Sequence, residues 1–320
     1  MRSMAVRGLG VLLFCLCATG VLAQADRGVQ LFDAGDLAGA KTAFLAAVQR
    51  NERDAGAHFY LGRIAMLDDD VDMASSQFER AAALDANVSD YHLWFGTALS
   101  QQAAKASKLR QPFIAKHVLS EFERAVALDL RSVEARDSLI DFYSMAPGFM
   151  GGGIDKARAE ADALAKLDAS RGHLAYARLA VSAKDTGTAE REFQAAIASA
   201  PDTFRPYSAL GNWYARDKRW PEAFAALDAY IKKRPDDPNG PYGIGRIAAL
   251  SGQQLERAEK GIRAFIAKPP KDAGALVISG AYRRLGVILQ FQGKNAEART
   301  AFEQAFKIDP RNEEAKKALK

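Results

Sequence analysis

Apolar residues along this chain recur three and four positions apart, and no alternation of β-branched residues persists long enough to suggest a strand. The pattern predicts amphipathic helices separated by short polar turns. A longer period is laid over it. A small residue is followed four positions later by a large apolar one in Ala40–Phe44, Ala74–Phe78, Ala189–Phe193, Ala223–Leu227, Ala258–Ile262 and Ala298–Phe302. Gly62, Gly211, Gly245 and Gly286 stand twelve or thirteen positions before the corresponding alanine. The strictest copies repeat every 34 residues, as expected of stacked helical hairpins that cannot bury their apolar faces singly.

Four copies keep that frame: 55–88, 170–203, 204–237 and 279–312. Four depart from it. The copy at 24–54 has a short first helix. The copy at 89–132, with Gly96 as its small residue, carries about ten extra residues; Gln101 to Leu109 are expected to lengthen its first helix and Pro112 to open its second. The copy at 133–169 contains a loop, and that at 238–272 has one extra residue between its helices. Surplus residues before 279 are expected to extend the next helix forward, with Asp272 as its cap. Residues 313–320 read as a terminal capping helix, rich in lysine at its C-terminal end as the helix dipole favours. The expected fold is all-α: a single α-solenoid over 24–320, a right-handed superhelix of about eight hairpins.

These residues resemble the tetratricopeptide repeat, whose pattern has Leu-Gly at positions 7 and 8, Ala at 20, Phe at 24, Ala at 27 and Pro at 32. The clearest copy shows Leu210, Gly211, Ala223, Leu227, Tyr230 and Pro235. Two stretches, Pro147-Gly148-Phe149-Met150-Gly151-Gly152 and Tyr242-Gly243-Ile244-Gly245-Arg246, resemble segments of exported proteobacterial repeat proteins of unassigned activity. The resemblance implies a binding scaffold rather than an enzyme.

The N-terminus changes the picture of location. Arg2 and Arg7 precede an apolar stretch from Gly8 to Leu22, and Val21-Leu22-Ala23 offers small residues for a signal peptidase. Residues 1–23 are expected to leave as a signal peptide, placing the protein in the periplasm. Cys15 and Cys17 leave with them, so the mature 297 residues hold neither a disulfide nor a thiolate nucleophile. The formal charge of +5 falls to +3 without Arg2 and Arg7, too little to argue for nucleic acid. No further long apolar run predicts a membrane span in the mature chain.

Little in the sequence suggests chemistry or a cofactor. Gly151-Gly152-Gly153 precedes Asp155 and Lys156, but no strand comes before and no Ser or Thr follows the lysine, so a structural loop is expected. His58, His92 and His173 share position 4 of their copies and read as packing residues, not metal ligands. Asp68 to Asp72 lacks the glycine and distal glutamate of a calcium loop and reads as a helix cap. Asp137 and Asp141 share a helix face, a wet surface rather than an acid–base pair.

In this repeat class the first helix of each hairpin lines the concave side, and positions 2, 5, 9 and 12 share its exposed face. Position 9 supplies Arg63, Arg178, Asn212 and Arg246; position 5 supplies Tyr242 and Arg283. Guanidinium groups beside an aromatic and an amide suit a carboxylate-bearing peptide, and the expected ligand is a segment of a protein partner in the cell envelope. The carboxylate clamp of chaperone-binding relatives is not carried over: Asn212 matches it, but Ser208 and Gly243 stand where it has Lys and Asn. The basic insert around Lys105, Lys108, Arg110 and Lys116 is a second candidate surface. The alternative is a polysaccharide module, or an enzyme's non-catalytic subunit, using Trp213, Tyr214 and Trp220. The sequence leaves the oligomeric state open.

Overall fold

The computed structural model describes residues 26–270 and 273–320. The expected signal peptide and the expected cap Asp272 lie outside those residues. Every regular element among them is helical, and no helix is long and apolar enough to cross a membrane. The chain divides into two compact units, up to Leu167 and from Asp168.

The first unit holds four hairpins: α1 (26–33) with α2 (Leu37–Arg50), α3 (Ala55–Leu67) with α4 (Val71–Leu84), α5 (Ser89–Lys105) with α6 (Gln111–Leu128), and α7 (Val133–Met145) with α8 (Ile154–Leu167). The second holds α9 (Ala169–Ser182) with α10 (Thr186–Ser199), α11 (Phe204–Arg216) with α12 (Trp220–Lys233), α13 (Asn239–Ser251) with α14 (Leu255–Ala267), and α15 (Ala275–Phe291) with α16 (Asn295–Ile308). The short α17 (Glu313–Ala318) closes it.

Three devices repeat along the array. The first is close packing at the helix crossings. Ala40, Ala74, Ala189, Ala223 and Ala258 have no exposed surface, and Ala298 is nearly as buried. Opposite them a glycine of the first helix lies under a large side chain of the second: Gly62 under Phe78, Gly96 under Phe122, Gly245 under Ile262 and Gly286 under Phe302. In the first copy Gly28 plays this part under Phe44. The second device is the turn inside each hairpin. Gly35, Asp69, Lys184, Lys218 and Gly293 occupy equivalent positions and are left-handed, and in the turn with one extra residue Gly252 and Gln254 are. The third is capping. Asp36, Asp54, Asp70, Asp168 and Asp185 each accept from the backbone N–H three residues on, satisfying a donor that the first turn leaves open. The Thr188 hydroxyl and N–H together hold the Asp185 carboxyl below its ordinary value.

The irregular copies show where the repeat frame was insufficient. Pro112 does sit in the first turn of α6, but α5 stops at Lys105, so only part of the insert is helical. The forward extension of α15 begins at Ala275, with Gly274 as its N-cap. The first two glycines of the run have a steric cause. Gly151 is left-handed (φ 98°), and a Cβ there would stand 2.5 Å from Leu119 of α6. A Cβ on Gly152 would overlap the Ala146 carbonyl oxygen at 1.7 Å. The Gly151, Gly152 and Gly153 N–H groups donate to Gly148, Pro147 and Tyr143 carbonyls, as a structural loop requires.

Candidate functional site

In the second unit, the first helices of consecutive hairpins bring five side chains together. Arg246 of α13 reaches back to α11, donating to Ser208 Oγ (3.3 Å) and Asn212 Oδ1 (3.1 Å). One turn earlier on α13, Tyr242 stacks on Phe265, with ring centroids 4.3 Å apart and planes 20° from parallel. Its hydroxyl accepts from Arg284 of α15 at 3.0 Å, and the same guanidinium donates to the Gly280 carbonyl at 2.9 Å.

These partners are all neutral. Among the described residues no carboxylate forms an ion pair with Arg246 or Arg284, although both are partly buried. Burial holds the Arg284 guanidinium below its ordinary value, and the positive charges of Arg283 and Arg246 push in the same direction; Tyr242 and Glu314 oppose them. Two partly buried cations with neutral hydrogen-bond partners, each felt by the other, form a positive potential of the kind an oxyanion relieves by charge-assisted bonds.

The expected residues divide among several roles. Asn212, Tyr242 and Arg246 lie in this cluster, joined by Ser208. Arg283 instead pairs with Glu314 of α17 and ties down the capping helix. Its neighbour Arg284, one residue further round α15, enters the site in its place. Arg178 stands half-buried on α9 and already has a partner. Gly243 is buried, and a Cβ there would stand 3.0–3.1 Å from Leu227 and Phe204, which explains why no polar side chain occupies the clamp position. Arg63 belongs to the first unit, among the rings of Phe32, Phe59, Tyr60 and Trp94.

Several of the other candidates are occupied by structural contacts. His58, His92 and His173 bond Gln77, Glu121 and Glu192 on the second helix of their own hairpins, at 2.7, 2.6 and 2.7 Å. Among the described residues no group of three His, Cys, Asp or Glu is placed to hold a metal. The basic insert faces the acidic turn: Lys105 pairs with Asp69 (3.6 Å), and Gln102 donates to Asp72 (2.8 Å). Trp213 and Tyr214 are each only 6% exposed, so neither offers a ring face to a sugar. A cavity of about 470 Å³, which the sequence did not announce, lies in the first unit between α5, α6, α7 and the Pro147–Met150 turn. Its walls include Ala103, Ala115, Val118, Phe142, Met145 and Met150.

Models of the tetratricopeptide repeat match residues 26–90 and 174–238, and a second form of the model matches 279–312, together just over half of the chain. A search of curated proteins gave no match. Among solved structures, YrrB, described as a tetratricopeptide-repeat protein with an unusual peptide-binding site, is 20% identical with a TM-score of 0.44, over 58% of this chain and 89% of that one. The protein TTC0263 of Thermus thermophilus is 22% identical with a TM-score of 0.48, over 59% and 98%. A tetratricopeptide-repeat protein of Parabacteroides merdae is 14% identical with a TM-score of 0.45, over 94% and 98%. None of these likenesses bears on a ligand.

Proposed function

Because this chain belongs to the tetratricopeptide-repeat family, we propose that it is a non-catalytic binding protein that takes an acidic segment of a partner protein against its row of first helices. Arrays of this kind present extended surfaces to peptides and proteins. The observation that carries the reading is the Arg246–Arg284 pair, two partly buried cations with neutral partners only. A carboxylate of the ligand accepts from the two guanidinium groups. Asn212 and Ser208 hold Arg246 in place, and the Tyr242 hydroxyl does the same for Arg284. The ring of Tyr242 is itself fixed by Phe265, stacked on it, and by the Arg284 guanidinium 5.5 Å from its centroid.

The partner is proposed to be an envelope protein and the chain a periplasmic one. The basic start, the apolar stretch and Val21-Leu22-Ala23 support export. Sequencing the N-terminus of protein recovered from the envelope tests this: a start at Gln24 supports it, and a retained Met1 refutes it.

Binding is tested by calorimetric titration of the full chain with a glutamate-rich peptide and its glutamine counterpart. The glutamate peptide is expected to bind at least tenfold more tightly, and Arg246→Gln with Arg284→Gln, made in a chain already carrying Arg63→Gln, to remove that preference. Equal binding of the two peptides, or an undiminished preference in the variant, refutes the reading.

A further inference from the structure

The first unit holds a cation of a different kind. Arg63 projects from α3 between Phe32 of α1 and Trp94 of α5. Its guanidinium carbon is 4.6 Å from the Phe32 ring centroid and 5.1 Å from that of Trp94. The rings of Phe59 and Tyr60, each at 5.9 Å, complete the enclosure. The rings attract the charge through their faces, but they offer no acceptor for its in-plane N–H donors. Nε of Arg63 is buried without a hydrogen-bond partner, and among the described residues the guanidinium has no ion pair.

Two packing arginines of this chain, Arg136 and Arg219, are satisfied by carboxylates. Arg136 is held by Glu160 and the Leu130 carbonyl, and Arg219 by Glu222 beside Tyr214. Arg63 is stacked nearly as closely as Arg219, 4.6 against 4.4 Å, and has no carboxylate. A half-buried guanidinium held among rings, with a buried Nε that nothing in the chain satisfies and no carboxylate beside it, is prepared for an anion supplied from outside.

We infer that Arg63 and the surrounding rings form a separate carboxylate site in the first unit, which takes an acidic side chain flanked by apolar residues. The two oxygens of a carboxylate match the planar fork, and its single negative charge matches the single cation. A phosphate dianion would surrender more hydration among aromatic walls that carry only one compensating charge. The rings in turn suit apolar neighbours of the acidic residue. This site stands whether or not Arg246 and Arg284 bind anything.

The test uses the full chain carrying Arg246→Gln and Arg284→Gln, so that the second unit is silent. The probes are acetyl-Leu-Glu-Phe-amide and the same peptide with Gln or phosphoserine at the centre, followed by calorimetry. The Glu peptide is expected to bind at least tenfold more tightly than either counterpart. Adding Arg63→Gln should abolish that preference, and adding Arg63→Lys, which keeps the charge but not the fork, should weaken it at least fivefold. If Arg63→Gln fails to fold, Phe32→Leu, which removes one stacking wall, should weaken Glu-peptide binding severalfold. The inference is overturned if the Glu peptide shows no binding at millimolar concentration or no advantage over the Gln peptide. It is also overturned by tighter binding of the phosphoserine peptide, or by Glu-peptide binding that survives Arg63→Gln or, where that variant does not fold, Phe32→Leu.

Discussion

A methyl group on Gly62 would stand 2.7 Å from two carbons of the Phe78 ring, closer than a real side-chain contact allows. Alanine normally favours a helix by about 1 kcal/mol over glycine, so the sign of Gly62→Ala depends on whether propensity or packing dominates. The ring is fully buried and cannot retreat, and the substitution is expected to destabilise the fold by about 1–3 kcal/mol in urea titrations. Gly211 is the contrast. A methyl there meets the Ala223 carbonyl at 3.2 Å and Leu227 at 3.5 Å, and Gly211→Ala should lie within about 1 kcal/mol of the wild type. Equal losses at the two positions would contradict this account of the crossings. Lys218 carries a left-handed backbone (φ 56°) at a turn where other copies have glycine; Lys218→Gly is expected to raise stability by about 0.5–1 kcal/mol. Tyr214 adds a pH dependence. Burial first, and then its 2.6 Å bond to Glu190, push its phenol up to about 12 from an ordinary value of 10.0. Its contribution to stability is therefore complete below pH 10 and is lost as the pH rises toward 12. Tyr214→Phe should flatten that alkaline decline in thermal midpoint; an identical decline would exclude Tyr214 as its source.

At the scale of the element, each hairpin depends on its neighbours for burial. Ala223 of α12 has no exposed surface and lies where α11 crosses it. Ala223→Leu should overpack that crossing and cost about 1–3 kcal/mol. Hydrogen exchange should speed up in α11 to α14, while α3 and α4 keep their protection, because coupling in such arrays runs between neighbours. Uniformly faster exchange would argue for one cooperative core instead. The spacing of small and large residues is dictated by helix crossings, so the hairpins, the inter-helix turns and the capping helix could be read from the sequence. The ends of α5 and the start of α15 could not, because the inserted residues fall outside the repeat frame. The role of Gly151 and Gly152 emerges only when their loop is seen folded against Leu119 and Ala146.

Across the molecule, the first helices carry partly buried guanidinium groups, held differently in each unit. The positional rule found Arg246, Asn212 and Tyr242 because the period places equivalent residues on one wall. It missed Arg284, since Arg283 next to it fills the expected position and is claimed by Glu314. It named Arg63 without its enclosure: Phe32 and Trp94 lie 31 positions before and after it, one repeat less about a helical turn, a diagonal spacing that the rule did not scan. The most direct measurement is to photo-crosslink a glutamate-rich peptide to the full chain and map the adducts by mass spectrometry. In the second unit the adducts should fall on α11, α13 and α15, and they should vanish with Arg246→Gln and Arg284→Gln. Second-unit adducts confined to α12, α14 and α16, or unaffected by those substitutions, would contradict recognition by the row of first helices.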